Sequence, residues 1–293
     1  MGLALSSELV VLLDGGLATE LEARDNDLSD PLWSARLLAD DPQQIVAVHA
    51  AYFRAGATIA TTASYQASFE GFAARGVDRD GTVALLRRSV ELAKAARAAA
   101  GTDNLCVAAS VGPYGAALAD GSEYRGRYGL SVAALTRWHR PRLEILAAAG
   151  ADVLALETVP DVDEAEALVN LVRSVGVPAW LSYTIDGTRT RAGQPLADAF
   201  AVAAGVDEIV AVGVNCCAPD DVLGAIAIAD IGKPIIVYPN SGERWDGQRR
   251  AWIGPSRFSA QLASQWVAAG ARIVGGCCRV RPADIAELAE VVT

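Results

Sequence analysis

Two pairs of adjacent cysteines, Cys216-Cys217 and Cys277-Cys278, are the residues of this chain best suited to chemistry. Each pair closes an apolar, strand-like run: Ile209-Val-Ala-Val-Gly-Val-Asn before the first and Ala271-Arg-Ile-Val-Gly-Gly before the second. Thiols gathered at two strand ends can hold a soft metal such as zinc. The competing reading is two inert, buried thiol pairs, because free cysteine is among the most buried residue types. Successive side chains of a strand point to opposite faces, so both members of a pair reach one metal only where the strand has ended or bulged. Gly275-Gly276 frees the backbone to do this before Cys277-Cys278, whereas only Asn215 directly precedes Cys216-Cys217. The pattern predicts three thiolates, one of them from the Cys216-Cys217 pair, and an open fourth position. That is the arrangement of a catalytic rather than a structural zinc site. Three thiolates leave a net negative centre, a poor activator of water for hydrolysis. It is suited instead to keeping a substrate thiol ionised, since a free thiol with pKa about 8.5 is mostly protonated at neutral pH. The reaction that follows is attack of sulfur on an activated carbon.

Positioning such a cluster requires a scaffold that brings distant strand ends together. Apolar, β-rich runs at 9–13, 58–62, 105–109, 152–156, 179–185, 209–214, 234–237 and 272–274 alternate with Ala/Leu-rich helical stretches. Those stretches fall at 42–55, 80–100, 131–149, 161–174, 196–204, 219–229, 255–269 and 282–292, the first with Asp41 placed to cap it. A Gly- and Tyr-rich polar segment at 118–128 reads as a loop over an active site. Eight strand–helix pairs without a domain break predict an α/β fold, a (β/α)8 TIM barrel formed as a single domain by residues 1–293. An open doubly wound sheet is disfavoured, because Asp14-Gly15-Gly16-Leu-Ala lacks a dinucleotide fingerprint. Active sites of such barrels lie just past the C-terminal ends of the strands. Here those positions hold Asp14, Ser64, Tyr65, Glu157, Asn215, Cys216, Asn240, Cys277 and Cys278.

The bulk properties narrow the function classes. A net charge of −10 and a pI near 4.8 argue against nucleic-acid binding. No apolar run reaches the roughly 18 residues of a membrane helix. The start lacks a basic signal-peptide region, and Met1-Gly2 with Ser6 is only a loose myristoylation match. Five cysteines, four in adjacent pairs, do not make a secreted disulfide framework. The expectation is a cytoplasmic enzyme acting on small molecules. His49 and His139 fall within helices and read as structural, and Cys106 reads as core.

With these motifs in place, the chain resembles the homocysteine S-methyltransferases. The resemblance rests on Leu13-Asp14-Gly15-Gly16-Leu-Ala-Thr19-Glu20-Leu, Thr62-Ala-Ser64-Tyr65-Gln66, Gly-Val-Asn215-Cys216, Tyr238-Pro-Asn240-Ser241-Gly242-Glu243 and Gly275-Gly276-Cys277-Cys278-Arg279. Gly112-Pro-Tyr114-Gly115 and Asp120-Gly-Ser-Glu123-Tyr124-Arg125-Gly126 are similar to the branch that uses S-methylmethionine. The resemblance implies a zinc enzyme with one Zn(II) per chain, held by Cys216, Cys277 and Cys278, with a swap of Cys217 for Cys216 left open. It also implies that Asp14 and Glu157 hold the homocysteine ammonium. Gly15, Ser64, Tyr65 and Asn215 are the further expected substrate contacts. Trp33, Tyr65, Tyr114 and Tyr124 are candidates to face a cationic methyl donor. The competing role for Trp33 is a packing anchor, and for Tyr65 and Tyr114 rim packing. A betaine-type homocysteine methyltransferase is the alternative of the same chemistry, set against by the short stretch after the last helix. A non-catalytic zinc-binding protein is the alternative of a different class.

Overall fold

The computed structural model describes residues 10–246 and 251–292. Leu9 and the Met1-Gly2/Ser6 pattern lie outside the described residues. Eight strands form one parallel sheet: β1 (Val11–Leu12), β2 (Ile59–Thr61), β3 (Cys106–Val111), β4 (Val153–Val159), β5 (Ala179–Tyr183), β6 (Ile209–Asn215), β7 (Ile235–Tyr238) and β8 (Ala271–Val274). They pair in chain order from β2 to β8, and β8 then pairs with β1. The ring closes where Leu13 bridges Ile59, with Thr58 N donating to Leu12 O at 2.8 Å and Asp14 N to Ile59 O at 3.1 Å. The expected (β/α)8 barrel is the fold.

The helices that follow the strands are α1 (Pro42–Arg54), α2 (Arg79–Ala100), α3 (Val132–Ala148), α4 (Val162–Val175), α5 (Leu196–Ala201), α6 (Val222–Ile228), α7 (Ala260–Ala268) and α8 (Pro282–Val292). Their limits follow local chemistry. Asp78 and Asp161 accept backbone N–H groups at the starts of α2 and α4, and left-handed Gly101 and Gly176 end them. Asp41 occupies the cap position of α1, but its side chain makes no capping bond there. Ser259 caps α7, which starts five residues later than the apolar pattern suggested. Two small hairpins escaped the sequence reading: Ile185–Asp186 with Arg189–Thr190, and Arg244–Asp246 with Ala251–Ile253. Among the described residues no helix is long and apolar enough to cross a membrane.

The outward strand faces pack under the helices in one large core, while the barrel interior has its own. The interior is filled by alternate residues of the strands, among them Leu13, Ile59, Ala108, Ala155, Trp180 and Ile273. Trp180 needs the small Ala108, Ala155 and Ala211 around it. Its Nε1 donates to the Tyr238 hydroxyl at 2.9 Å, so the floor of the barrel mouth is tied to its core. Beside it, Gly213 of β6 pairs with Ile236 of β7, where a Cβ would run into the Ile236 carbonyl. Gly213→Ala is therefore expected to cost about 3 kcal/mol or more by chemical denaturation, because a backbone carbonyl cannot move aside without breaking the ladder. A loss within about 0.5 kcal/mol would show that the two strands do not approach this closely.

Candidate active site

The three Sγ atoms of Cys216, Cys277 and Cys278 lie within 4.8 Å of one another at the C-terminal mouth of the barrel. Those of Cys216 and Cys277 are joined as a disulfide, and Cys278 is a free thiol. The backbone explains how two strand ends converge. Cys216 adopts a left-handed conformation with φ 48°, so the chain turns at the first cysteine after β6. Cys216 thereby joins the cluster, while Cys217, only 1% exposed, packs into the core under the helices. That separates the pair as expected and places Cys216, not Cys217, beside Cys277 and Cys278.

At the second strand end the glycines act differently from the expectation. Neither Gly275 nor Gly276 is in the left-handed region. They are required by space: a Cβ on Gly275 would lie 2.6 Å from the Cβ of Leu13, and one on Gly276 would enter the Val280 side chain. Three backbone contacts then fix the two cysteines. Cys277 N donates to Pro239 O at 2.8 Å, Cys278 N to the Asn240 side chain at 3.0 Å, and Ser241 N to Cys278 O at 2.9 Å. Gly15 is equally confined, because a Cβ there would meet Val280 O at 2.6 Å and the Tyr52 ring at 2.9 Å. The Tyr52 hydroxyl lies 3.0 Å from the carbonyls of both Gly16 and Val280, pinning this corner.

The donor set suits a thiophilic metal. Sulfur–metal bonds of about 2.3 Å place sulfurs roughly 3.8 Å apart, within the reach of this cluster once the disulfide is reduced. The protein itself does little to ionise the thiols. Burial, then Glu22, push Cys278 up to about 12. A divalent cation held there would supply the ionisation that the protein's own groups do not.

Two acids lie in the same mouth. Asp14, 2% exposed, accepts from Thr61 N at 2.7 Å and from Thr61 Oγ1 at 2.9 Å. Glu157, 7% exposed, accepts from the Ser110 hydroxyl and from that of Tyr238. Neither forms an ion pair among the described residues. Burial pushes Asp14 up to about 8, with Glu157 adding to the effect and Thr61 opposing it. Burial likewise pushes Glu157 up to about 7, against the Ser110 and Tyr238 hydrogen bonds and the field of Arg142. Two desolvated carboxyls without a cation are poised to receive one.

Several expected contacts have other partners. The Asn215 Oδ1 accepts from Thr158 N at 2.7 Å and Ser182 Oγ at 2.8 Å, while its Nδ2 donates to Thr158 Oγ1 at 2.7 Å. This holds Thr158 at φ 58°, the irregularity in β4 directly after Glu157. Ser64 is fully buried and donates to Ser110 O at 2.7 Å. Its other partner is Thr62 Oγ1, which accepts from Ser110 N at 3.0 Å. The side chains of Asn215 and Ser64 therefore set the backbone on either side of Glu157 and Ser110. Trp33, itself left-handed at φ 50°, meets Tyr65 edge-on at 6.4 Å, and the Tyr65 hydroxyl reaches Thr158. Tyr124 is 40% exposed, yet its hydroxyl bonds to Cys278. Tyr114 is not brought to this group. Its ring packs against Tyr128 at 5.2 Å and Trp138 at 5.0 Å, toward α3. His139, fully buried on α3, bonds to Glu164 at 2.8 Å, and Cys106 is the first residue of β3, at the opposite end of the barrel from the mouth.

Sequence reasoning missed the residues that hold these groups: Thr61 on Asp14, Ser110 and Tyr238 on Glu157, and Arg142 behind Tyr65. Arg142 is almost wholly buried on α3, and its Nη2 donates to Tyr65 O at 3.2 Å and Gly112 O at 3.1 Å. Ser110 and Tyr238 carried a signal, each directly following an apolar run, and Thr61 and Arg142 carried none.

The raised acids carry a stability consequence. A carboxyl whose folded pKa exceeds its unfolded value contributes stability at low pH that is lost as pH rises through the folded pKa. For Glu157 that window runs from 4.5 to about 7. Glu157→Gln should therefore stabilise the metal-free protein at pH 8 by roughly 2–3 kcal/mol relative to wild type. The advantage should fade toward pH 4.5. Denaturant midpoints across that range test this, and a variant less stable than wild type at pH 8 would contradict it.

The comparisons with known proteins agree on one family. The family described as homocysteine S-methyltransferase matches residues 11–292. Homocysteine S-methyltransferase of Escherichia coli K12 is 50% identical over 296 residues, covering 97% of this chain and 96% of that enzyme. Homocysteine S-methyltransferase YbgG of Bacillus subtilis is 44% identical, covering 96% of this chain and 93% of its own. The crystal structure of the homocysteine methyltransferase MmuM from E. coli in its metallated form superimposes with a TM-score of 0.86 at 48% identity, over 96% of each chain. The chain is a methyltransferase and belongs to the homocysteine S-methyltransferase family.

Proposed function

We propose that this chain transfers a methyl group from a sulfonium donor, foremost S-methylmethionine and in second place S-adenosylmethionine, to the thiolate of L-homocysteine. One zinc ion per chain would be held by Cys216, Cys277 and Cys278. The observation that carries the reading is the three-cysteine cluster sharing one barrel mouth with two buried acids that form no ion pair among the described residues. Zinc bound there would supply the Lewis acidity that keeps a substrate thiol ionised at neutral pH.

The chain's own residues supply orientation. Asp14 and Glu157, fixed by Thr61, Ser110 and Tyr238, would take the homocysteine ammonium between them. That aims the substrate sulfur toward the cysteines. Trp33, Tyr65 and Tyr124 would offer aromatic faces to the donor cation on the open side. The homocysteine sulfur then forms a bond to the methyl carbon as the bond from that carbon to the donor sulfur breaks. The donor leaves as a neutral thioether, so with S-methylmethionine both products are methionine. No proton transfer is needed in this step. Anion and cation neutralise each other as it proceeds, so a site that excludes water favours it. Most of the acceleration would come from positioning. A reducing cytoplasm would keep the three thiols free for this role.

The test is methionine formation from homocysteine and S-methylmethionine, read together with zinc content. Wild type should carry about one zinc per chain and be active, whereas Cys277→Ala should lose both while keeping its far-ultraviolet circular dichroism. Full activity in the metal-free protein would overturn the proposal. So would a Cys277→Ala variant that retains zinc and turnover.

A further inference from the structure

The segment at 118–128 brings one further charged group, Glu123, to the same mouth, and Arg191 brings a second; the acceptor site described above uses neither. Glu123 lies in a short helical turn, Ser122–Tyr124, directly before the tyrosine whose hydroxyl bonds to Cys278. Its Oε2 is buried without a hydrogen-bond partner, and among the described residues it forms no ion pair. Its field reaches Tyr65, Tyr124 and Cys278, so the carboxylate belongs to the mouth. Arg191 reaches the same tyrosine. Its backbone N donates to Thr184 O at 3.3 Å, and the Thr184 hydroxyl donates to Cys216 O at 3.2 Å. The guanidinium carbon stands 5.8 Å from the centroid of the Tyr124 ring. The Arg191 Nε is buried without a partner, and among the described residues the guanidinium forms no ion pair.

Glu123 and Arg191 are half-buried, each with one polar atom buried and unpartnered, which is costly; two groups of opposite sign that act on one tyrosine without pairing suit a ligand that bridges them. Arg matches a carboxylate in a two-pronged way, and a carboxylate matches an ammonium. Both groups occur on one carbon in an α-amino acid. Asp14 and Glu157 already form the acid pair for the acceptor.

Resting on the methyl-transfer reading above, we propose that Glu123 and Arg191 recognise the donor's α-amino-acid end, Glu123 its ammonium and Arg191 its carboxylate. Both act on Tyr124, whose hydroxyl bonds to Cys278, and the donor's sulfonium is thereby directed toward the cysteine cluster. The pair makes the site selective for amino-acid sulfonium donors over cationic methyl donors that lack an ammonium group. It positions the donor and takes no part in bond making.

Two analogues of S-methylmethionine separate the roles. The deamino analogue, (3-carboxypropyl)dimethylsulfonium, keeps the carboxylate. The decarboxy analogue, (3-aminopropyl)dimethylsulfonium, keeps the ammonium. Steady-state kinetics on the zinc-loaded enzyme with homocysteine as acceptor should show Glu123→Gln losing about 10- to 100-fold in kcat/KM for S-methylmethionine, mostly through KM. The same variant should change by less than about twofold with the deamino analogue. Arg191→Gln should show the mirror pattern, weakening S-methylmethionine and the deamino analogue while sparing the decarboxy analogue, with partial recovery in Arg191→Lys. The KM for homocysteine and the zinc content should stay at wild-type values in all three variants. Equal losses on all donors, or a raised homocysteine KM, would overturn the assignment while leaving the methyl-transfer reading intact. A wild-type enzyme that turns over none of the three sulfonium donors would overturn both.

Discussion

Three cysteine sulfurs within 4.8 Å of one another cannot all be held as thiolates without a cation among them. The charged groups that act on Cys278, Glu22 and Glu123, are both acidic and push the other way. The rest of the site follows from this constraint. On the proposed reading, a metal held by the three thiolates would leave room for one further sulfur. The acids alongside would then serve a substrate that brings its own positive charge. The mouth's two buried acids, Asp14 and Glu157, would suit an acceptor carrying an ammonium.

The barrel builds this environment through a few irregular points in otherwise regular strands. Left-handed Cys216 turns one thiol into the cluster and sends its neighbour into the core. Left-handed Thr158, held on both sides by Asn215, ends the regular run of β4 directly after Glu157. Backbone strain of this kind persists where the surroundings over-determine it, and it gathers at functional sites. Ser64 and Thr62 secure the backbone of Ser110, whose hydroxyl meets Glu157. Arg142 draws the carbonyls of Tyr65 and Gly112 together from behind. The groups free to meet a substrate are thus few, and most polar residues around them fix their directions.

Much of this was legible in the sequence. Alternation of apolar runs and helical stretches identified the eight strands and their helices to within a few residues for most elements, because burial sets that periodicity. The cysteines and the two acids stood out because each closes an apolar run, and barrels place their chemistry there. What could not be read depends on which way a side chain turns after the strand ends. Ser64 and Asn215 sit at the right positions, but their polar atoms are spent on neighbouring strands. Tyr114 follows β3 yet turns its ring to Trp138. Gly275 and Gly276 are glycines for lack of space beside Leu13 and Val280, not for a left-handed turn. Thr61 and Arg142 act through contacts across the fold, and local sequence carries no trace of them.

The cysteine cluster is proposed to hold zinc with one position left for the substrate sulfur. X-ray absorption at the zinc edge, on the zinc-loaded protein before and after addition of homocysteine, tests it most directly. Three sulfur neighbours and one lighter atom, changing to four sulfurs when homocysteine binds, is the predicted result. A zinc already closed by four protein ligands and unchanged by homocysteine would contradict it.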